Sequence, residues 1–273
     1  LWNLMSRLHL HILGSGSKGN CALIEGPQGL IMVDDGLSRR ETLKRMAELG
    51  LSADNVSALF VTHEHSDHIK GLDVWCKHWR GPLFASRNTL ASKESLAHVP
   101  VEEFDPGDVL EIAGVRIQTY STSHDVINPV GYRFDALGDS IGFATDTGEL
   151  SSHAIDTLKD CRVLALESNH DVAMLRQGDY PRFLQERILS AKGHLSNDQA
   201  ANAARELVTV RTEQLIAMHI SQDNNRPSLT VKSYARALDA TLDDEIGSTA
   251  TRHSGSRELT IRPAGQYRPM SIQ

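Results

Sequence analysis

The chain has 273 residues, of which 40% are hydrophobic and 23% are charged, so it is long enough to bury a core of ordinary composition. Its formal net charge of −7 argues against broad electrostatic attraction to nucleic acid or to an anionic membrane. No apolar run approaches the roughly 20 residues that a membrane span needs, so no membrane association is expected. Three cysteines without a C-x-x-C spacing indicate a reducing compartment, and we expect a cytoplasmic protein.

Short strands and helices alternate along the chain. Three strands separated by glycine-rich turns come first, at 8–13, 21–25 and 30–33. Ser38 is predicted to cap a helix, with Glu41 completing a capping box and Gly50 ending the helix. A buried strand at 56–62 then runs into a histidine cluster. After it we predict, in order, a helix over about 67–79, a strand at 83–86 and a helix at 89–98.

The second half of the chain repeats this alternation. Two hairpin-like units pair 109–112 with 115–121 and 130–134 with 140–144. The elements that follow are a helix at 151–159, a strand at 163–167, helices at 180–191 and 196–209, a strand at 214–219, a helix at 228–240 and a strand near 258–262. Residues 242–257 are the most loop-like stretch. The order predicts an α/β fold in one domain over 1–273, with sheet packed on sheet and helices outside, whose last ~30 residues form a loop and a terminal strand.

The segment Thr62 to His68 is the most informative one for chemistry. His63 and His65 lie two residues apart, so in an extended turn both rings can face one point. Asp67 and His68 open the next helix, offset toward a second point. Metal sites need nitrogen and carboxylate donors that converge, and four such donors within six residues are hard to explain as a solvated loop. The segment therefore predicts a metal centre.

This segment resembles the signature of the metallo-β-lactamase superfamily, which implies a four-layer αββα sandwich. The resemblance also implies three later donors at strand ends, and His124, Asp146 and His219 occur in the expected order. It assigns His63, His65 and His124 to one divalent ion, Asp67, His68 and His219 to a second, and Asp146 to a bridge between both. Five imidazoles and two carboxylates suit Zn²⁺, with Mn²⁺ as the alternative. An early aspartate should steady the histidine loop, and we prefer Asp35 over Asp34 for that role.

Finer motifs resemble the YycJ/WalJ-like branch, which is related to the tRNase Z and β-CASP nucleases. They lie at residues 14–20, 128–132, 167–171, 193–197 and 219–227. The resemblance implies a phosphodiesterase that acts on DNA from the 5′ end, with a metal-bridging hydroxide as nucleophile. Glu167 and His194 resemble the pair that protonates the leaving oxygen, and His170 is a rival acid; with Asp67 they make up the expected catalytic set.

Two turns offer phosphate contacts. Ser17, Lys18 and Asn20 lie in the glycine-rich turn, and Asn224, Asn225 and Arg226 follow His219, although ordinary turns explain both stretches as well. The glycines also match the G-x-G-x-x-G pattern of dinucleotide sites. That pattern needs a helix after the glycines, whereas residues 21–25 read as a strand, which disfavours a nucleotide cofactor.

Other hydrolase classes stay open beside the nuclease. One alternative is a phosphodiesterase for small cyclic phosphates or nucleotides, because no aromatic and basic strand-tracking patch is evident. The other is a glyoxalase-II-like thioesterase, which would need glutathione contacts in the last third of the chain; Tyr234 and Arg236 are scattered candidates. For the leading phosphodiesterase prediction, the expected partner is a nucleic acid or another phosphodiester substrate.

Overall fold

The computed structural model describes residues 7–273. These residues fall into two compact units. The first unit holds the chain up to Ser121, Val126–Ser140 and Gly265–Gln273, and the second holds Thr122–Asp125 and Ile141–Ala264. The assignment of 1–273 to one domain stays a prediction. None of the helices in the described part of the chain has the length and apolar content that crossing a membrane requires.

Strands and helices follow one another in the order that the alternation of the sequence indicates. The strands are β1 (His9–Gly14), β2 (Cys21–Gly26), β3 (Gly29–Val33), β4 (Val56–Val61), β5 (Leu83–Ser86), β6 (Val101–Phe104), β7 (Val109–Ile112), β8 (Val115–Ser121), β9 (Val130–Ala136), β10 (Asp139–Ala144), β11 (Val163–Glu167), β12 (Gln214–Met218), β13 (Thr241–Leu242), β14 (Ala250–Ser254), β15 (Arg257–Pro263) and β16 (Met270–Ile272). The helices are α1 (Arg39–Glu48), α2 (Ser66–Ile69), α3 (Leu72–His78), α4 (Ser152–Leu158), α5 (Val172–Gln177), α6 (Arg182–Leu189), α7 (Asn197–Leu207) and α8 (Pro227–Leu238).

The first unit contains a seven-stranded mixed sheet in the order β16-β1-β2-β3-β4-β5-β6. β16, β1, β2 and β3 pair antiparallel, whereas β3, β4, β5 and β6 are parallel neighbours. The strands β7, β8 and β9 of this unit form an antiparallel meander. Apolar residues on one face of the seven-stranded sheet pack against Met46 of α1 and against Leu72 and Trp75 of α3, so helices cover that face.

The second unit is built around parallel strands. β10, β11, β12 and β15 are parallel neighbours, and β14 and β13 extend the series antiparallel. Helix α8 packs on β14, on β15 and on α7, and α7 also packs on α4. The parallel strands β11 and β12 are buried almost throughout, as expected when both faces of a sheet are covered.

Several element predictions were wrong in the first unit. The helix expected over 67–79 is divided into α2 and α3 at Gly71, where a Cβ would lie 2.1 Å from the carbonyl oxygen of Leu37. Residues 89–98 form turns and one short 3₁₀ segment, Glu94–Leu96, instead of a helix. The hydroxyl of Thr89 lies 2.5 Å from that of Ser86, and such local side-chain bonds compete with helix formation. Ser38 caps α1, because its hydroxyl accepts a hydrogen bond from the Glu41 amide. The predicted capping box is incomplete, since the Glu41 carboxylate binds Arg45 at 2.8 Å instead of the Ser38 amide.

The second unit also differs from the predicted elements. Residues 242–257, expected to be a loop, include β14, which pairs with β15. The last stretch therefore holds β14, β15 and β16 rather than one terminal strand. Helix α6 covers only part of the expected 180–191, and α5 was missed. An aspartate cap starts α5, since the Asp171 carboxylate accepts a hydrogen bond from the Met174 amide at 2.9 Å.

A capping box on α7 generates a stability prediction. The hydroxyl of Ser196 accepts a hydrogen bond from the Gln199 amide at 3.2 Å, and the Gln199 side chain accepts one from the Ser196 amide at 2.9 Å. We expect Ser196→Ala to lower the free energy of unfolding by about 1 kcal/mol, because the Gln199 amide loses its fixed acceptor. Urea unfolding followed by circular dichroism measures this change. Ser152→Ala, at an exposed residue of α4 that caps nothing, serves as control, and equal stability of both variants would contradict the box.

Candidate functional site

In the first unit, polar side chains follow two parallel neighbours of the sheet. Asp34 comes directly after β3, and the loop from Thr62 to His68 comes directly after β4. The carboxyl ends of parallel strands share one edge of a sheet, so the pairing of β3 with β4 brings this aspartate and this loop together. The first set of candidate donors therefore owes its position to strand topology.

The carboxylate of Asp34 organises the histidine loop. It accepts hydrogen bonds from the Thr62 amide and the Thr62 hydroxyl, both at 2.8 Å, and contacts Nδ1 of His68 at 2.7 Å. An ionised carboxylate only accepts hydrogen bonds, so Nδ1 of His68 carries the hydrogen and Nε2 keeps its lone pair. Asp34 has a φ of 58°, and this left-handed backbone turns its side chain toward the loop.

The same chain of hydrogen bonds fixes His63. The Thr62 hydroxyl donates to Asp34, so it accepts from Nδ1 of His63 at 3.0 Å. Nε2 of His63 then faces Nδ1 of His65 at 3.1 Å, with the two rings edge to face. Two imidazole nitrogens turned toward each other at this separation are donors of the type that Zn²⁺ and similar ions bind, so this half of the donor set fits a divalent metal.

Backbone contacts hold Asp67 in the loop. Its carbonyl oxygen accepts a hydrogen bond from the Asn20 amide at 2.7 Å, and the Asn20 carbonyl accepts one from the Gly36 amide at 2.8 Å. A Cβ at Gly36 would lie 1.6 Å from the Asp67 carbonyl oxygen, so only glycine permits this approach. The turn after β3 thus positions the start of α2.

In the second unit, the parallel strands β10, β11 and β12 also end at one edge. Asp146 follows β10, Glu167 ends β11 and His219 follows β12. Asp146 and His219 have φ values of 51° and 52°, so each donor lies in a left-handed turn. The topology places three polar side chains side by side.

Glu167 is the central acceptor of this second set. One carboxylate oxygen contacts Nδ1 of His194 at 2.7 Å and Nδ1 of His219 at 3.1 Å, and the other accepts the Thr147 amide at 2.8 Å. Burial by itself raises the pKa of Glu167, but the charge of His194 and the hydrogen bonds from both rings outweigh it, so the pKa lies below its usual value. The ionised carboxylate puts a hydrogen on Nδ1 of each ring and directs each Nε2 away from itself.

Asp146 lies among three of the histidines of the second unit, His124, His194 and His219. Its Oδ1 is 3.5 Å from Nδ1 of His219, 3.7 Å from Nδ1 of His194 and 3.9 Å from Nε2 of His124, while its Oδ2 accepts the Thr145 hydroxyl at 2.6 Å. Nδ1 of His124 contacts the Gly193 carbonyl at 3.0 Å, which leaves Nε2 as the possible ligand atom. Donor atoms of Asp146, Glu167, His194 and His219 lie within 4.8 Å of one another, a mixture of imidazole and carboxylate that fits a divalent metal.

Comparison with known proteins decides the family. Residues 30–220 match the model of the beta-lactamase superfamily domain. The chain belongs to the metallo-β-lactamase superfamily. Within it, the chain is 36% identical over 236 residues to the exodeoxyribonuclease YycJ of Bacillus anthracis, covering 85% of this chain and 89% of the relative. It is 33% identical over 220 residues to the exodeoxyribonuclease WalJ of Streptococcus pneumoniae, covering 78% and 82%.

A solved structure supports the fold. The metallo-β-lactamase fold protein YhfI of Bacillus subtilis superposes with a TM-score of 0.69 at 14% identity, covering 97% of this chain and 99% of that one. The predicted α/β fold class and the predicted relation to the YycJ/WalJ branch are confirmed. The chain is a metal-dependent hydrolase of the superfamily.

The choice of Asp35 over Asp34 was wrong for the side chain that holds the loop. The Asp35 carboxylate points instead to the Thr42 hydroxyl, from which it accepts a hydrogen bond at 2.7 Å. It is fully buried, and burial raises its pKa to about 7. Asp35 contacts the histidine loop through its backbone amide, which donates a hydrogen bond to the His68 carbonyl at 2.9 Å.

The predicted phosphate contacts divide into exposed and buried residues. Ser17, Lys18 and Arg226 are exposed, so they stay candidates. Asn20 is buried, and its side-chain nitrogen Nδ2 lies 3.0 Å from Nε2 of His68. Its side chain therefore contacts the histidine loop. Asn224 and Asn225 are buried as well. The Asn225 side chain contacts Ser168, Asn169, Asn197 and Thr230, so it is engaged within the fold, whereas a phosphate contact by Asn224 stays a prediction.

The two candidate acids differ in exposure. The His194 side chain is 18% exposed and keeps its contact with Glu167. His170 is fully buried, and burial lowers its pKa to about 4. A proton donor has to reach its substrate, so exposure favours His194 over the buried His170.

Three positioning residues were not predicted from the sequence. The Thr62 hydroxyl donates a hydrogen bond to Asp34 and accepts one from His63. The Thr147 amide donates to Glu167, and the Asn169 side chain donates to the His219 carbonyl at 2.9 Å. Each is a polar residue next to a predicted donor or acid. That adjacency is the signal that could have identified them.

The contact between Asp34 and His68 generates a metal-binding prediction. We expect Asp34→Asn to weaken Zn²⁺ binding by about 10- to 100-fold, the range for losing a carboxylate behind a ligating histidine. Asparagine tolerates the left-handed backbone at this position, so the change removes charge and leaves the turn intact. Calorimetric titration of metal-stripped protein measures the affinity. Asp35→Asn is the matched control with a smaller expected loss, and a larger loss in the control would restore Asp35 to the role.

Proposed function

We propose that this chain is a phosphodiesterase that hydrolyses nucleic acid, and specifically a 5′-exonuclease on DNA. The observation that carries the proposal is the contact between the Glu167 carboxylate and Nδ1 of His194, at 2.7 Å, beside Asp146. Such a pair suits protonation of an alkoxide leaving group, which is the difficult part of cleaving an unactivated phosphodiester. The relatives whose names are exodeoxyribonucleases support DNA as the substrate.

The proposal includes two divalent metal ions, Zn²⁺ or Mn²⁺. The residues that would hold them are His63, His65, Asp67, His68, His124, Asp146 and His219, with Asp146 shared by both ions. When bound, the ions would activate a water molecule and neutralise charge on the phosphoryl group. They would also make the field at the site attractive to phosphate, despite the net charge of −7 of the whole chain.

In the proposal, His194 supplies the proton to the leaving 3′-oxygen. The ionised Glu167 carboxylate holds the Nδ1 hydrogen and stabilises the doubly protonated ring. Nε2 then carries the hydrogen to be transferred, on a side chain that solvent reaches. After the transfer, the same carboxylate keeps the neutral ring in one tautomer and orientation.

The thioesterase alternative finds less support. Tyr234, a candidate for binding glutathione, is fully buried and its hydroxyl lies 3.4 Å from the Glu167 carbonyl oxygen. Arg236 is exposed on the last turn of α8, so the buried Tyr234 does not form an accessible pair with it. Hydrolysis of a small phosphodiester stays an outcome of the substrate test. We also propose a cytoplasmic location, since Cys21, Cys76 and Cys161 are all buried free thiols.

Substrate profiling tests the proposed activity. We expect metal-loaded protein to release nucleotides from the 5′ end of labelled DNA and to lose this activity with a chelator, while S-lactoylglutathione is hydrolysed weakly. Asp146→Asn keeps the left-handed turn and removes the shared charge, so it should be inactive. RNA, 3′-labelled DNA and bis-p-nitrophenyl phosphate complete the panel. Fast thioester hydrolysis without phosphodiester cleavage would overturn the proposal, and cleavage of small diesters alone would reassign the substrate.

A leaving-group comparison tests His194. We expect His194→Ala to retain its metals and to turn over DNA roughly 100-fold more slowly, the usual range for losing a general acid. The loss should shrink with a p-nitrophenyl diester, because p-nitrophenolate departs without protonation. Glu167→Gln should lose at least as much activity and should also weaken metal binding, because Glu167 holds His219 as well as His194. Adding His194→Ala to Glu167→Gln should lower the DNA rate little further, since the two residues act together as the acid.

Two control variants accompany this comparison. His153→Ala removes an exposed histidine of α4 and should leave both rates unchanged. His65→Ala removes a proposed ligand and should lose both activities equally. Equal losses on both substrates in His194→Ala, with metal content intact, would exclude the acid role.

A further inference from the structure

Three side chains outside the donor set described above converge on the first sheet. His9 and His11 are two residues apart on β1, so their side chains lie on the same face. Glu25 of β2 stands directly opposite His9 in the antiparallel register. Its Oε2 lies 3.2 Å from Nδ1 of His9 and 3.1 Å from Nε2 of His11. One carboxylate oxygen thus faces two imidazole nitrogens.

A third strand orients His11. Ser271 of β16 is the register partner of His11, and its hydroxyl lies 2.7 Å from Nδ1 of that ring. Without an ion, the Glu25 carboxylate accepts the hydrogen of Nε2, and the Ser271 hydroxyl donates to Nδ1. A bound ion would take the place of the Nε2 hydrogen, and Nδ1 would then donate its own hydrogen to the hydroxyl. Burial lowers the pKa of His11, although Glu25 opposes this effect, so the ring favours the neutral form that metals bind. Ligating histidines in proteins are commonly fixed in this way by a partner at the other nitrogen.

We propose that His9, His11 and Glu25 bind a divalent transition-metal ion, Zn²⁺ by preference, at a site separate from the hydrolytic donors. A tetrahedral zinc ion with bonds of about 2.0–2.1 Å separates neighbouring ligand atoms by about 3.3 Å. The two nitrogen–oxygen distances, 3.2 and 3.1 Å, are close to that value, and all three donor atoms lie within 4.8 Å of one another. Two imidazoles and one carboxylate leave a fourth position for water.

Exposure distinguishes this cluster from a closed ion pair. The side chains of His9 and Glu25 are 21% and 45% exposed, so an ion can enter, whereas that of His11 is 6% exposed and contacts Ser271. An ordinary surface pair in the same chain looks different: His253 and Glu258 meet at 3.7 Å through one contact, with side chains 72% and 57% exposed. An ion at the cluster links β1 to β2 directly and to β16 through Ser271.

Metal counting tests the site. Metal-stripped protein is titrated with Zn²⁺ in a calorimeter, as wild type and as the Glu25→Gln and His9→Gln variants. We expect each variant to bind one equivalent less than wild type and to keep its hydrolytic activity, because none of these residues belongs to the proposed catalytic set. His253→Gln is the matched control and should bind as many equivalents as wild type. Identical stoichiometry in all four proteins would overturn the proposal.

Anomalous scattering gives a test that needs no variant. Wild-type crystals grown with Zn²⁺ should show a zinc peak in contact with Nδ1 of His9, Nε2 of His11 and Oε2 of Glu25. Absence of that peak would overturn the site even if a variant failed to fold. Both experiments are independent of the proposed nuclease activity, since they detect the ion and not the reaction.

Discussion

The histidine chemistry of this protein depends on two buried carboxylates, one in each unit. Asp34 holds Nδ1 of His68, and Glu167 holds Nδ1 of both His194 and His219. Because a carboxylate only accepts hydrogen bonds, each ring is kept in one tautomer with its other nitrogen turned outward. Without these acceptors the rings would exchange between tautomers and rotate, and the free nitrogen of each ring would have no defined direction.

Parallel strand pairing accounts for how much of the site could be predicted from the sequence. His63, Asp146 and His219 all follow apolar runs that are long enough to be recognised as buried strands. A donor directly after such a run lies at the strand's carboxyl end, wherever the strand falls in the sheet. The superfamily resemblance supplied the order of the donors, and the hydrophobic pattern placed most strands within a residue or two. Those two kinds of information do not depend on long-range side-chain contacts.

The failures concern contacts that no local pattern encodes. Asp34 and Asp35 are adjacent, and the left-handed backbone at Asp34 decides which carboxylate meets the loop. The turn after His219 predicts a phosphate contact for Asn225, yet its partners Ser168 and Asn197 lie 57 and 28 positions away in the chain. The cluster of His9, His11 and Glu25 depends on strand register, since Glu25 meets both rings only because β2 folds back on β1. Distant partners and register were beyond what spacing alone could indicate.

The left-handed backbone at Asp34, Asp146 and His219 has a consequence for reading large mutagenesis surveys. Glycine, asparagine and aspartate adopt such a conformation readily, whereas β-branched residues are strained in it. Intolerance to valine or isoleucine at these three positions therefore reports on the turn as much as on chemistry. Comparing glycine, asparagine and aspartate with one another at these positions isolates the chemical contribution of the side chain, because all three accept the turn. A survey that averages over all substitutions would merge two separate constraints, one on the shape of the main chain and one on the groups that it carries.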